Sequence, residues 1–198
     1  MFNRKETTIS RTAPFEGLTG VYAIDSVHST IGFSIRHAMI TDVRGRFTAF
    51  EGLLKLDGLH PARSEAYLSV QTGSVDTGFQ ERDAHITGPD FLDSASFPLM
   101  SFRSTGIVNA GDNRFRLLGY LRIKDIELPL HIDLECGGAS RDVHGQNRVG
   151  FEGTATLNRS DWGLGWNTAL ATGGVLVSDK VQLVLGVSAV QLVQREAA

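Results

Sequence analysis

Cysteine is almost missing from this chain. Cys136 is the single cysteine among 198 residues, so an intrachain disulfide and a multi-cysteine zinc site are both excluded. An excess of one charge is also missing. Lys+Arg is 19 against 22 Asp+Glu, a net charge of −3, so no broad basic field exists to draw nucleic acid or an anionic membrane. Long apolar runs are missing too. The longest, Val181 to Val193, is interrupted by Gln182, Gly186, Ser188 and Gln191, which is too short and too polar to span a bilayer. The first twenty residues, MFNRKETTISRTAPFEGLTG, hold no apolar core of a secretory signal. They are expected to form a flexible extension, 1–20, and the chain as written is expected to be soluble and cytoplasmic, with a periplasmic or secreted location left open. No stretch carries ten or more residues of helical period, so βαβ units and a parallel sheet are not expected. There is no G-x-S-x-G elbow, P-loop or H-E-x-x-H motif, so no recognised catalytic signature marks an enzyme.

What is present is period-two alternation, from Val21 onward. The clearest run is Ile126 to Cys136. Ile126, Leu128, Leu130, Ile132, Leu134 and Cys136 share one face, and Glu127, Pro129, His131, Asp133 and Glu135 share the other, as only a strand arranges them. Pro129 marks an irregular or poorly paired stretch. Phe115, Leu117, Gly119, Leu121 and Ile123 alternate in the same way, and Lys124-Asp125 joins the two runs as a hairpin. Similar runs occur at 31–37, 66–71, 151–157 and 181–189. At 45–56 and 100–108 the spacing slips by one residue, as a bulge makes it. Cys136 falls on an apolar phase and reads as a small buried hydrophobe.

These runs predict an all-β domain, 21–198, for which a sandwich or a closed barrel would serve, and about eight antiparallel strands in sequence favour the closed barrel. Closure buries one face of every strand and removes exposed edges. Small inward residues (Gly119, Gly153, Ala155, Ala189) would leave room for a cavity. Residues 77–96 read as the only long break in the strand pattern, a short helical or loop excursion covering one end, with Phe79, Ile86, Phe91 and Phe97 as a lid or a satellite core. Arg82 and Asp83 are expected to pin this loop, with Arg82 contacting a ligand headgroup as the alternative. Asn158-Arg159-Ser160 matches a glycosylation triplet, a weak signal.

The quoted segments, in order, resemble the YceI-like family. YAIDSVHSTIGFSIRH from Tyr22, VRGRFTAFEG from Val43, SVDTGFQERDAHITGPDFLDSASFPLMSFRST from Ser74, LLGYLRIKDIELPLHID from Leu117, NRSDWGL from Asn158 and VSDKVQL from Val177 carry the likeness. It covers roughly Val21 to Val193. The resemblance implies an extended eight-stranded antiparallel lipocalin-like β-barrel that encloses a long apolar ligand such as a polyisoprenoid, an isoprenoid quinone or a fatty amide, in a binding or carrier protein and not an enzyme. No cofactor other than such a bound lipid, no metal and no nucleic acid are expected, and a transient contact with a membrane is left open.

On the inward phases the expected ligand-binding residues are Phe33, Ile35, Phe102, Leu117, Leu121, Ile132, Leu134 and Leu183. His37, Phe79, Arg82, His85 and Phe91 are expected near the mouth. For His37 a hydrogen-bonded structural role at the barrel rim stands beside a ligand contact. A strand of about ten residues rises about 33 Å, or about 25 Å along a tilted axis, enough for several isoprene units. Two rival readings stay open: an enzyme acting on a lipid or quinone with His37 or His85 as acid or base, and a ligand-free barrel that binds a partner. Val184 and Val190, with Leu118 and Tyr120, lie on otherwise polar phases and point to a homodimer surface.

Overall fold

A computed structural model describes residues 16–171 and 173–192. Most of the expected amino-terminal extension lies outside them. Eleven strand segments form one antiparallel sheet: β1 (Gly20–Ile24), β2 (Thr30–His37), β3 (Thr41–Phe47), β4 (Phe50–Leu56), β5 (Glu65–Gln71), β6 (Val75–Asp76), β7 (Leu99–Gly111), β8 (Arg114–Ile123), β9 (Ile126–Arg141), β10 (Asn147–Asn158) and β11 (Val177–Gln191). They make eight staves. β1 and β2 both pair with β11 and run in one direction along it. The breaks between β3 and β4 and between β5 and β6 are neighbours, tied by Thr48 N–H donating to Ser74 O and Gln71 N–H to Ala49 O. Three staves are therefore kinked and five are continuous. The slip in spacing at 45–56 is this kink, and the slip at 100–108 is a bulge in the β7–β8 register near Ser104/Gly106.

Each stave neighbours the next in sequence, and the last closes on the first through Tyr22↔Gln191 and Ile24↔Ala189. The result is a closed up-and-down eight-stranded barrel. β9 has 16 residues, which at about 3.3 Å each and a tilt near 40° gives an axial length of about 40 Å. Pro129 sits where β9 pairs with β8 on one side but has left β10, whose pairing stops at Asp133, so its missing N–H costs no ladder bond.

Burial follows the alternation. On β8 every second residue from Phe115 to Ile123 is buried and every other one is exposed. The exposed phase carries cross-strand ion pairs, Arg103–Glu127, Arg116–Asp133 and Arg114–Glu135, which solvent screens so that they add little to stability. The inner phases therefore hold the fold. They form two clusters, an upper one around Phe102, Leu121, Ile132 and Trp162 and a lower one around Tyr22, Phe115, Cys136 and Val149. Cys136 is buried, and burial pushes its thiol pKa up, which keeps it protonated and inert. Leu18, just before β1, is buried in the lower cluster.

Two expectations need correction. The excursion at 77–96 is not the only long break. Residues 159–176 form a second one, opening with a short 3-10 turn (Arg159–Trp162) and covering the same end. The inward glycines also do not leave empty space. A Cβ at Gly119 would meet the Phe102 ring at 2.5 Å, and one at Gly153 would meet Leu134 Cδ2 at 2.8 Å. These glycines admit a neighbour's side chain, so the larger residue fills the volume the smaller one gives up.

Candidate functional site

The barrel interior holds two cavities. The upper one, about 300 Å³, lies under the two excursions. The lower one, about 110 Å³, lies toward the β4–β5 connection. On this measure one water occupies about 10–15 Å³, so both are far larger than a water site. Ile31, Leu68, Phe102, Ile132 and Leu185 line both cavities and form a neck between them. The Phe102 ring lies in the neck because Gly119 beside it has no side chain.

The upper chamber is walled by Phe33, Ile35, Leu121 and Leu183 from the strands, and by Arg82, His85, Ile86 and Phe91 from the first excursion. Leu117 and Leu134 line the lower chamber, with Phe115, Phe151 and Val187. Phe102 and Ile132 belong to both. The structure therefore brings twelve of the thirteen candidate residues to the lumen. Phe79 is the exception. It is 52% exposed and stands outside, immediately before α1 (Gln80–Thr87), with the Arg82 guanidinium 5.7 Å above its ring. The excursion's aromatics carry no strand phase, so the sequence pattern could not say which of them faces inward.

Arg82 and Asp83 both grip Thr77. Arg82 Nε donates to Thr77 Oγ1 (2.7 Å) and Nη2 to Thr77 O (2.8 Å). Asp83 Oδ1 accepts from Thr77 N–H (3.0 Å) and from its hydroxyl. Arg82 thus holds the loop through a neutral residue. His37 ends β2 and lines the upper chamber. Among the described residues its ring makes no hydrogen bond, so the hydrogen-bonded rim role is not observed. His85 meets Asp90 through Nε2 (3.0 Å) and sets its ring edge-on to Phe91 and Trp166, with centroids at 5.1 and 4.6 Å.

The second excursion supplies residues that the strand pattern did not reveal. Trp162 is 3% exposed and donates its indole N–H to Leu121 O (3.1 Å), which locks the loop onto β8. Leu164 and Trp166 complete the chamber roof. Arg159 is 4% exposed and lines the same chamber. The long gap in alternation between Leu157 and Val181 was the signal for all of them.

The ionisable lining differs between the chambers. In the upper one it is His37, Arg82, His85 and Arg159, with no carboxylate. In the lower one it is Asp57 and Glu65, with no base. Among the described residues, no group of three or more His, Cys, Asp and Glu could hold a metal ion, and no helix is long and apolar enough to cross a membrane. Leu118, Tyr120 and Val184 are exposed and Val190 is half-buried, with two strands between β8 and β11.

Comparison with known proteins agrees with this architecture. Among solved structures, BcnA of Burkholderia cenocepacia superposes with a TM-score of 0.74 at 22% identity, covering 83% of this chain and 98% of that one. A YceI protein of Campylobacter jejuni gives 0.68 at 24% identity, over 80% and 90%. A Saccharophagus degradans domain, described as polyisoprenoid-binding and implicated in plant cell wall breakdown, gives 0.66 at 15%, over 86% and 98%. At these identities the likeness shows the fold. In sequence, a UPF0312 protein of Vibrio cholerae is 33% identical over 153 residues, 76% of this chain and 81% of that one. Another, from Azotobacter vinelandii, is 31% identical over 178 residues, 89% and 90%. Residues 22–189 match the family model described as YceI-like domain, and the chain belongs to the YceI-like family.

Proposed function

We propose that the barrel binds and carries one long apolar molecule, a polyisoprenoid, an isoprenoid quinone or a fatty amide, with its chain in the lumen. The observation that carries this reading is the pair of cavities that share the apolar residues Ile31, Leu68, Phe102, Ile132 and Leu185, inside eight closed strands and polar only toward their ends. Each methylene moved from water into such a lumen contributes up to about 0.8 kcal/mol. A chain of many carbons therefore has ample driving force after its ordering cost. Nothing in the lumen wall recognises one apolar chain over another by hydrogen bonds, so the tail is selected by length and girth. The Saccharophagus domain described as polyisoprenoid-binding has the same fold, which supports the ligand class. The cavities argue against a barrel filled by its own side chains.

Organic extraction of the purified protein, followed by mass spectrometry, tests this. The expected result is a long-chain apolar compound at about one per chain. Repeatedly empty extracts, together with no uptake of added long-chain lipid, would overturn the reading.

A further inference from the structure

Among the described residues, Arg159 is a buried cation whose guanidinium is held by backbone carbonyls alone. Nε donates to Ser178 O (2.9 Å), Nη2 to Val177 O (3.4 Å), and Nη1 to Leu164 O. Among the described residues no carboxylate lies within ion-pairing distance of it. Burial lowers its pKa, and Asp179 opposes this only at a distance, yet a guanidinium stays charged in proteins. Of its five N–H groups, three are used in these bonds. The guanidinium carbon lies 5.8 Å from the centre of the Phe91 ring, and both residues line the upper chamber.

A charge this buried is costly unless it is paired. The three carbonyls compensate part of that cost and tie the start of β11 to the second excursion. They leave N–H groups uncommitted beside an apolar cavity. Arg82 lines the chamber with Arg159, as do His37 and His85, the latter paired with Asp90 (3.0 Å). No carboxylate is part of the lining, whereas the acids Asp57 and Glu65 stand at the far end of the lumen. This distribution favours a negative group under the roof and disfavours one at the bottom.

Resting on the lumen reading above, we infer that the upper chamber is an oxyanion headgroup site. A carboxylate or phosphate at the end of a long apolar ligand docks on the free N–H groups of Arg159, beside Phe91 and Trp166, with the tail running down past Phe102. The basic chamber sets the ligand's direction in the barrel as well as its class. Arg159 is thus a specificity residue, distinct from Arg82, whose bonds go to Thr77.

Ligands with one tail and different heads test this. Oleate, oleyl phosphate and oleyl alcohol are titrated into the intact protein, and binding is read by displacement of a fluorescent long-chain probe. At least one of the two oxyanions should bind about tenfold or more tighter than the alcohol, as a charge-assisted bond in a desolvated site gives. Whichever of the two is tighter identifies the head as carboxylate or phosphate. Arg159→Gln should bring the ratio close to one while the affinity for the alcohol changes little, and Arg159→Lys should restore part of the ratio. A structural role alone would weaken all three ligands together. Equal affinity for oxyanion and alcohol in the wild type overturns the inference, and that result stands even if Arg159→Gln fails to fold. A ratio that survives in a folded Arg159→Gln overturns it equally. If none of the three ligands nor the probe binds, the lumen reading falls and takes the headgroup site with it.

Discussion

The upper and lower chambers share the same strands and the same apolar phase, and they differ in what the loops add. Above the neck, two excursions bring Arg82, His85, Phe91, Arg159 and Trp166 to the lumen. Below it, short connections leave only Asp57 and Glu65 at the edge. The strands make a cavity that accepts any apolar chain, and the loops make its two ends chemically unequal. The ends are also fastened differently. The upper loops are held at Thr77 by Arg82 and Asp83 and at Leu121 by the Trp162 indole, with the exposed pairs Arg46–Asp76 and His85–Asp90 beside them. The lower end is held by charge. Arg148 bridges Asp25 (2.6 Å) and Asp142 (2.8 Å), tying the kink of the first stave to the β9–β10 turn.

The largest effect is expected at the neck, where the chambers meet. Ile132→Glu places a carboxylate in a dry wall shared by both and should lower long-chain probe affinity at least about a hundredfold, or prevent folding. Ile132→Met, which conserves volume, should cost less than about 1.5 kcal/mol of stability and keep probe binding. Titration of the soluble, folded variants checks both. Unchanged binding by a folded Ile132→Glu would break the placement of the lumen.

Next comes the packing that forms the neck. A Cβ at Gly119 would lie 2.3 Å from the backbone oxygen of Arg103 and 2.5 Å from the Phe102 ring. Gly119→Ala should destabilise by about 1–3 kcal/mol in urea unfolding. Adding Phe102→Leu should recover only part of this, since the ring can retreat and the carbonyl cannot. Full recovery would show that the strand backbone yields there.

Acid should loosen the lower end. The Arg148 guanidinium, and then His28, hold the Asp25 carboxyl well below the usual carboxylate range, and Arg148 lowers Asp142 as well. Between the folded and unfolded pKa values the unfolded chain binds more protons, so stability rises with pH in that window. The contribution is complete above about pH 5, since unfolded carboxyls titrate near 3.9, and it is lost as pH falls further. The melting midpoint of Asp25→Asn should therefore fall less than that of the wild type between pH 5 and pH 2. Parallel curves would remove this ion cluster from the account.

The smallest effect is expected at Arg82. Arg82→Ala frees Thr77 and the first excursion and should speed ligand release by about a few-fold, equally for charged and neutral heads. Stopped-flow release of the probe measures it. A loss confined to charged heads would move the headgroup contact from Arg159 to Arg82.

The barrel and its lumen were legible because alternation is a direct consequence of strand geometry. Phe33, Leu121 and Leu183 reach the cavity by phase alone. Kinks were less legible: Thr48-Ala49 and Thr72–Ser74 interrupt staves without changing composition. The cap was the least legible part. Phe79 and Phe91 are indistinguishable in a segment without a period, and only contacts with Arg82, His85 and Trp166 separate outside from inside. Arg159 reads as the middle of a glycosylation triplet, and its burial depends on carbonyls some five to nineteen residues away in sequence. Gly119 and Gly153 suggested empty space, because a sequence shows which side chain is missing but not which neighbour moves in.

The central claim is that the two chambers act as one lumen holding a single chain through the neck. A series of saturated carboxylates from dodecanoate to tetracosanoate, titrated into the wild type and into Leu134→Trp, tests it most directly. Leu134 lines only the lower chamber, so the larger side chain shortens the lumen from below. Affinity should climb by up to about fourfold per added methylene through the longer members in the wild type, and should stop climbing at a shorter chain in Leu134→Trp. A climb that ends at the same chain length in both proteins would contradict a tail that passes Phe102.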